Sequence, residues 1–174
     1  MAVELKVLAK ADQTRLEQFE RAQDLAQQLL LHMNTPEIQR EIEARHVLGA
    51  SSHEIQSLIE PGVVLLGFSS EKKGLFAEYP TSALRPDFYL PIGDSGIILE
   101  VERGKTTTNN MDLLDLWKCH ICRGADFLFL VVPQVRPSAS GSRLLLYRQV
   151  CNRLLTFFEP ENYVNVDAAF VFGY

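Results

Sequence analysis

The amino-acid sequence predicts an α/β domain in which a mixed central sheet is flanked by helices. Three observations lead to this class. Apolar residues recur at helical spacing through the first part of the chain. From Pro61 onward, short apolar runs bounded by turn residues are typical of strands. Two helical patterns then alternate with two further apolar runs, as in strand–helix–strand units.

The N-terminal part of the chain is predicted to be helical. The apolar face over residues 12–33 indicates an amphipathic helix, and residues 1–33 are expected to form an N-terminal helical arm. Pro36 is suited to the first turn of a second helix. Ser51, followed three residues later by Glu54, is a capping-box pattern that predicts the start of a third helix.

The remainder of the chain is predicted to form the sheet and its covering helices. A parallel strand–helix–strand crossover is expected after the first three strands, and the last strand is expected at a sheet edge. The whole chain, 1–174, is expected to be one domain with an αβββαβ core over residues 51–133. The predicted strands are Gly62–Phe68, Arg85–Leu90, Gly96–Arg103, Ala125–Val132 and Tyr163–Phe172, and the predicted helices between the later ones are Asn110–Cys122 and Gly141–Phe158.

Composition is that of an ordinary globular protein, with 47% hydrophobic and 22% charged residues among 174. The net charge of −5 argues against a protein that coats nucleic acid by bulk electrostatics, although the segment from Arg103 to Arg153 is locally basic. Three cysteines are too few for a disulfide framework and fit a reducing compartment. Without an apolar run of eighteen residues or a charged-then-apolar leader, a cytoplasmic location is expected.

Two predicted strands bring a pair of carboxylates together. A hairpin turn centred between Gly93 and Asp94 sets Asp87 directly opposite Glu100. Carboxylates held that close repel each other unless a proton or a cation lies between them, and their hard oxygens suit Mg²⁺. The alternative is a solvated pair at a strand end with a shifted register.

Glu102 is the third acidic candidate on these strands. It shares the strand face of Glu100, two residues further along the strand. The same register also sets Glu102 opposite Arg85, and an Arg–Glu cross-strand pair would explain it without a metal.

The motif Pro86-Asp87, followed by Glu100-x-Glu102 and by a helix and a buried strand, resembles the PD-(D/E)xK superfamily of restriction-endonuclease-like nucleases. The resemblance implies a metal-dependent endodeoxyribonuclease. Asp87, Glu100 and the Val101 carbonyl would bind Mg²⁺, with Mn²⁺ as a substitute. It also implies double-stranded DNA as partner and a homodimer, for which the N-terminal arm is the candidate contact.

Position 102 departs from the family pattern, because the family has a lysine where this chain has Glu102. Lys105 at the strand end and Lys118 on the next helix are the candidates to replace it. Glu54 is the candidate for a further acidic metal ligand on the preceding helix. Two other functions stay open: a catalytically silent nuclease-fold protein used for binding or assembly, and a carboxylate-pair hydrolase such as a glycosidase.

Overall fold

The computed structural model describes residues 2–12, 15–49, 51–70, 74–79, 84–103, 106–136 and 144–174. Its strands are β1 (Glu4–Ala9), β2 (Ser69–Ser70), β3 (Phe88–Ile92), β4 (Ser95–Val101), β5 (Phe127–Val132), β6 (Val135–Arg136), β7 (Leu144–Leu145) and β8 (Ala168–Gly173). Its helices are α1 (Leu16–Met33), α2 (Pro36–Arg45), α3 (Ser52–Leu65), α4 (Met111–Ile121) and α5 (Leu146–Leu155), which a 3₁₀ turn follows at Thr156–Phe158.

A six-stranded mixed sheet forms the centre of the molecule, as predicted. Its strand order is β1-β8-β5-β4-β3-β2, and β6 and β7 pair separately. Strands β4, β5 and β8 are parallel to one another, whereas β1, β3 and β2 are antiparallel to their neighbours. The predicted αβββαβ order is present as α3-β2-β3-β4-α4-β5, with β4 and β5 parallel.

Helices cover both faces of this sheet, so its central strands are apolar on both sides. In β4, Ile97 and Leu99 pack with the core residues of α1 and α3. Ile98, which points to the opposite face, packs with residues of α4 and α5. Glu100 alternates with Leu99 and therefore points to the face that α4 covers. This alternation determines which helix meets the predicted carboxylates.

The predicted strand Gly62–Phe68 is wrong, because α3 continues to Leu65. A short apolar run does not distinguish a strand from a buried helical turn by periodicity. Here Ile55, Ile59 and Val63 recur every four residues and are fully buried, while Leu65 is 87% exposed. Pro61 lies inside the helix, and the strand that follows is only the two-residue β2.

The N-terminal segment differs from the predicted helical arm. Residues Glu4–Ala9 form β1, an edge strand paired with β8, and the helix begins only at Leu16. Glu4 and Lys6 are exposed, and they alternate with the half-buried Leu5 and Val7. This two-residue period is typical of a strand with solvent on one side. Because β1 covers its flank, β8 is an interior strand and not the predicted edge.

Several helix ends also differ from the sequence prediction. Helix α2 begins at Pro36 as predicted and ends at Arg45. Ser51 occupies the N-cap of α3 without a side-chain capping hydrogen bond, so the predicted capping box with Glu54 is not formed. Helix α5 begins at Leu146, and residues 141–143 of its predicted span lie outside the described residues. None of the helices within the described ranges is both long and apolar enough to cross a membrane.

Candidate active site

The β3–β4 hairpin has the predicted register. Phe88 pairs with Leu99 and Ile92 with Ser95, across a two-residue turn whose first residue, Gly93, has a φ of 60°. Glycine is favoured at that position because the turn requires a positive φ there. Extending this register by one residue sets Asp87 against Glu100.

Asp87 lies just before β3 and joins the hairpin through two hydrogen bonds. Its backbone N–H donates to Glu100 Oε2 at 3.3 Å. Its own carboxylate oxygen Oδ2 accepts from the backbone N–H of Val101 at 2.9 Å. The side chain of Asp87 therefore accepts a hydrogen bond from β4 just beyond the paired part of β3. It is half-buried, so the site remains open to solvent on this side.

Helix α4 adds a lysine and a second buried acid to this pair. Lys118 Nζ lies 2.6 Å from Glu100 Oε1 and 2.9 Å from Asp115 Oδ1. All three side chains are buried: Glu100 is 4% exposed, Asp115 0% and Lys118 8%. Within the described part of the chain, Glu100 Oε1 and both carboxylate oxygens of Asp115 are buried and have no hydrogen-bond partner besides this lysine.

Burial and mutual repulsion shift the protonation of this cluster. Burial, and next the charge of Asp115, raise the pKa of Glu100 well above its ordinary value. Burial raises the pKa of Asp115 to about 6, against the opposing effect of Lys118. For Lys118, burial lowers the pKa, but the two carboxylates outweigh it and the pKa is raised overall. One ammonium group therefore faces more buried negative charge than it can neutralise.

Glu102 lies beyond the end of β4 and is held by its backbone. Its N–H donates to the Val131 carbonyl at 2.8 Å, and its carbonyl accepts from the Tyr174 hydroxyl at 3.2 Å. The side chain is half-buried, and burial followed by the charge of Asp115 raises its pKa to about 8. The predicted cross-strand pair with Arg85 falls outside the paired segment, because β3 begins only at Phe88 and Arg85 is exposed.

The other predicted site residues are placed less closely. Val101 is the last residue of β4, directly after Glu100. Glu54 is exposed in the first turn of α3, where its backbone carbonyl accepts a hydrogen bond from Arg45. Lys105 lies outside the described residues. The catalytic and metal-binding roles of all these residues stay predictions.

Sequence reasoning missed Asp115 as a member of the site. The available signal was its position three residues before Lys118, on the same helix face as the buried Leu116 and Cys119. Charged residues on the buried face of a helix are costly unless they are paired. Asp112, one turn earlier, is likewise fully buried, and it faces Arg153 from α5 at 3.4 Å.

The chemistry of this donor set fits an oxygen-preferring divalent cation. Carboxylates of Asp87 and Glu100 meet at one strand end, and buried carboxylate oxygens of Glu100 and Asp115 lack hydrogen bonds among the described residues. Mg²⁺ is commonly bound through one or two protein carboxylates and keeps several waters. Among the described residues, no group of three or more His, Cys, Asp or Glu side chains is arranged to hold a metal ion.

Three chains of solved structures match this one. No protein-family model matches the chain, and no curated protein sequence matches it. The chain is similar to the restriction endonuclease BglII in complex with a DNA 16-mer, at 13% sequence identity and a TM-score of 0.48. The similarity covers 99% of this chain and 78% of that one. A function for this chain therefore has to come from its own side chains.

Proposed function

We propose that the protein is a metal-dependent endodeoxyribonuclease that hydrolyses phosphodiester bonds in double-stranded DNA. Asp87, Glu100 and the Val101 carbonyl are the proposed ligands of Mg²⁺, for which Mn²⁺ would substitute. The observation that carries the proposal is the contact of 2.6 Å between Lys118 and Glu100, next to the Asp87 carboxylate. Acids and a lysine are thereby brought together, although the strand itself has no lysine at position 102.

Each side chain has a role that follows from its position. Asp87 is fixed by the Val101 N–H and half-exposed, so it can face both a cation and a substrate phosphate. Lys118 offers an ammonium group for the negative charge that develops on the phosphate during attack. A bound Mg²⁺ would supply Lewis-acid polarisation of the phosphate and a more acidic water. Glu102 is a further carboxylate on the strand face of Glu100 and holds a proton at neutral pH while no cation is near.

A catalytically silent, DNA-binding or assembly protein of the same architecture is the second candidate. Two observations favour it: Glu102 stands where the superfamily has a lysine, and Lys118 already compensates part of the buried negative charge without a metal. The two candidates differ in what a divalent cation does, because only an intact metal site gains stability from one.

The test is thermal unfolding with and without Mn²⁺, followed by nicking of supercoiled plasmid DNA on the same samples. Asp87→Asn is the informative variant, because the amide oxygen can still accept the Val101 N–H while the charge is lost. Asp24→Ala is the matched control, since Asp24 is exposed on α1. At a Mn²⁺ concentration of about 100 Kd the native state gains about 2.7 kcal/mol, and a shift of this kind is expected in wild type and Asp24→Ala.

The nuclease proposal requires that Asp87→Asn lose both the Mn²⁺-induced shift and the nicking. A wild-type protein that neither gains stability from Mn²⁺ nor nicks DNA would leave the silent protein as the working function. The proposed homodimer is tested separately by light scattering at several protein concentrations.

A further inference from the structure

The buried face of α4 carries three charged residues at regular spacing, Asp112, Asp115 and Lys118. In an α-helix, residues three apart lie on one face about 4.5 Å apart along the axis. Their neighbours on that face are apolar, and an unpaired charge there would cost several kcal/mol. Packing alone therefore does not explain why α4 has three charged residues on its buried face.

Among the described residues, the ion-pair partner of Asp115 lies on its own helix. Its contact is with Lys118, one turn further on, and neither of its oxygens has a hydrogen bond within the described residues. Lysine has a flexible stem of four carbons, so a single contact with Glu100 would leave its ammonium group several positions. A second carboxylate, 2.9 Å from Nζ, restricts that freedom.

Asp112 shows the contrast within the same helix. It is as deeply buried as Asp115, but it faces Arg153, which also donates to the Thr107 carbonyl and to Asn110 Oδ1. Those contacts tie α4 to α5 and to the loop before α4. Both oxygens of Asp112 likewise lack a hydrogen bond among the described residues, but its cation comes from α5, whereas the cation beside Asp115 is on α4 itself and also contacts Glu100.

We propose that Asp115 is a positioning residue that holds the Lys118 ammonium group against Glu100. The pair on α4 thereby supplies the positive charge that the strand lacks at position 102. The inference rests on the proposed nuclease function for its catalytic meaning, while the positioning itself is a property of the protein without metal or DNA.

The first experiment measures positioning alone. Metal-free protein is labelled with an amine-acetylating reagent, and mass spectrometry follows the rate at Lys118 relative to the exposed Lys6. In Asp115→Asn the rate at Lys118 should rise about tenfold, which corresponds to a decrease of about one in its pKa. Asp112→Asn is the matched control and should leave the rate unchanged. An unchanged rate in Asp115→Asn, with melting temperatures that show both variants folded, overturns the proposal.

The second experiment measures what positioning does for the reaction. Single-turnover nicking rates are compared for Lys118→Met, Asp115→Asn and the double variant in Mn²⁺. If Asp115 acts through Lys118, the substitution Asp115→Asn lowers the nicking rate when Lys118 is present but does not lower it further in the Lys118→Met background. Additive losses would mean that Asp115 has a separate structural role and would refute the inference.

A transplanted lysine gives the complementary result. Glu102→Lys, introduced into Lys118→Met, should restore nicking, because it returns the positive charge to the strand. Failure of wild type to nick DNA under any divalent cation would remove the nuclease function, while the labelling rates would still decide whether Asp115 positions Lys118.

Discussion

Replacing Lys118 with methionine should reveal how strongly the buried charges depend on one another. The methionine keeps most of the volume of the lysine stem and removes its ammonium group. Glu100 and Asp115 are then left 4% and 0% exposed with no cation between them. The folded state must either keep two unpaired carboxylates in the interior or take up protons.

Proton uptake limits the size of the effect. At pH 7, holding a proton on a glutamate whose unfolded pKa is about 4.3 costs about 3.7 kcal/mol, at about 1.4 kcal/mol per pH unit. This agrees with the 3–5 kcal/mol typical of breaking one buried ion pair. A loss of about 3–4 kcal/mol lowers the melting temperature of a protein of this size by roughly 6–16 °C.

The pH dependence distinguishes this cause from a packing defect. A carboxyl group whose pKa is raised in the folded state destabilises it increasingly as pH rises toward that pKa. Glu100 and Asp115 already have raised pKa values in the wild type. The difference between wild type and Lys118→Met should therefore shrink from pH 7 to pH 5 by at most about 2.7 kcal/mol for each carboxyl that is protonated only in the variant.

Urea unfolding at pH 5, 6 and 7 measures that difference. Lys6→Met, on the exposed face of β1, is the control and should stay within about 0.5 kcal/mol of wild type. A loss below about 1 kcal/mol at pH 7, or one that does not vary with pH, would refute the view of Lys118 as the neutralising cation of a buried cluster.

Two further variants test other parts of the structure. Burial raises the pKa of Glu102 to about 8, so its ionisation destabilises the folded protein increasingly between about pH 4.5 and 8. The free energy of unfolding of Glu102→Gln should equal that of the wild type near pH 4.5 and exceed it by about 1 kcal/mol at pH 8, a figure reduced for the partial exposure of the side chain. Urea titrations at both pH values measure the difference. A Cβ at Gly62 would lie 2.3 Å from ring atoms of His32. Gly62→Ala should therefore cost about 1–3 kcal/mol in thermal unfolding, and the cost should vanish in a His32→Ala background, where an unchanged cost would contradict the contact.

The hairpin could be predicted from sequence because local chemistry determines it. A two-residue turn with glycine at its first position fixes the pairing of every residue in the two strands, so the opposition of Asp87 and Glu100 followed from counting. The buried strand β5 could be predicted in the same way, since six consecutive apolar residues between Asp126 and Pro133 are typical of a buried strand.

The features that sequence reasoning missed depend on partners distant in the chain. Strand β1 is recognisable as a strand once β8 lies beside it. The run after Pro61 is helical because α1 and the sheet bury one of its faces. Asp115 belongs to the site because it contacts Lys118, which also contacts Glu100 on β4. Helical spacing alone does not show which face of α4 packs against that strand.

The pairing of β1 with β8 has a consequence for the order in which the sheet is built. Residues 4–9 are synthesised about 160 residues before their partners at residues 168–173. Closing so long a loop costs conformational entropy, and this cost is offset only when the hydrogen bonds between β1 and β8 form. The parallel strands β4 and β5 are separated in sequence by a single helix, so they can pair before β1 pairs with β8. This edge of the sheet can therefore form only after β8 has been synthesised.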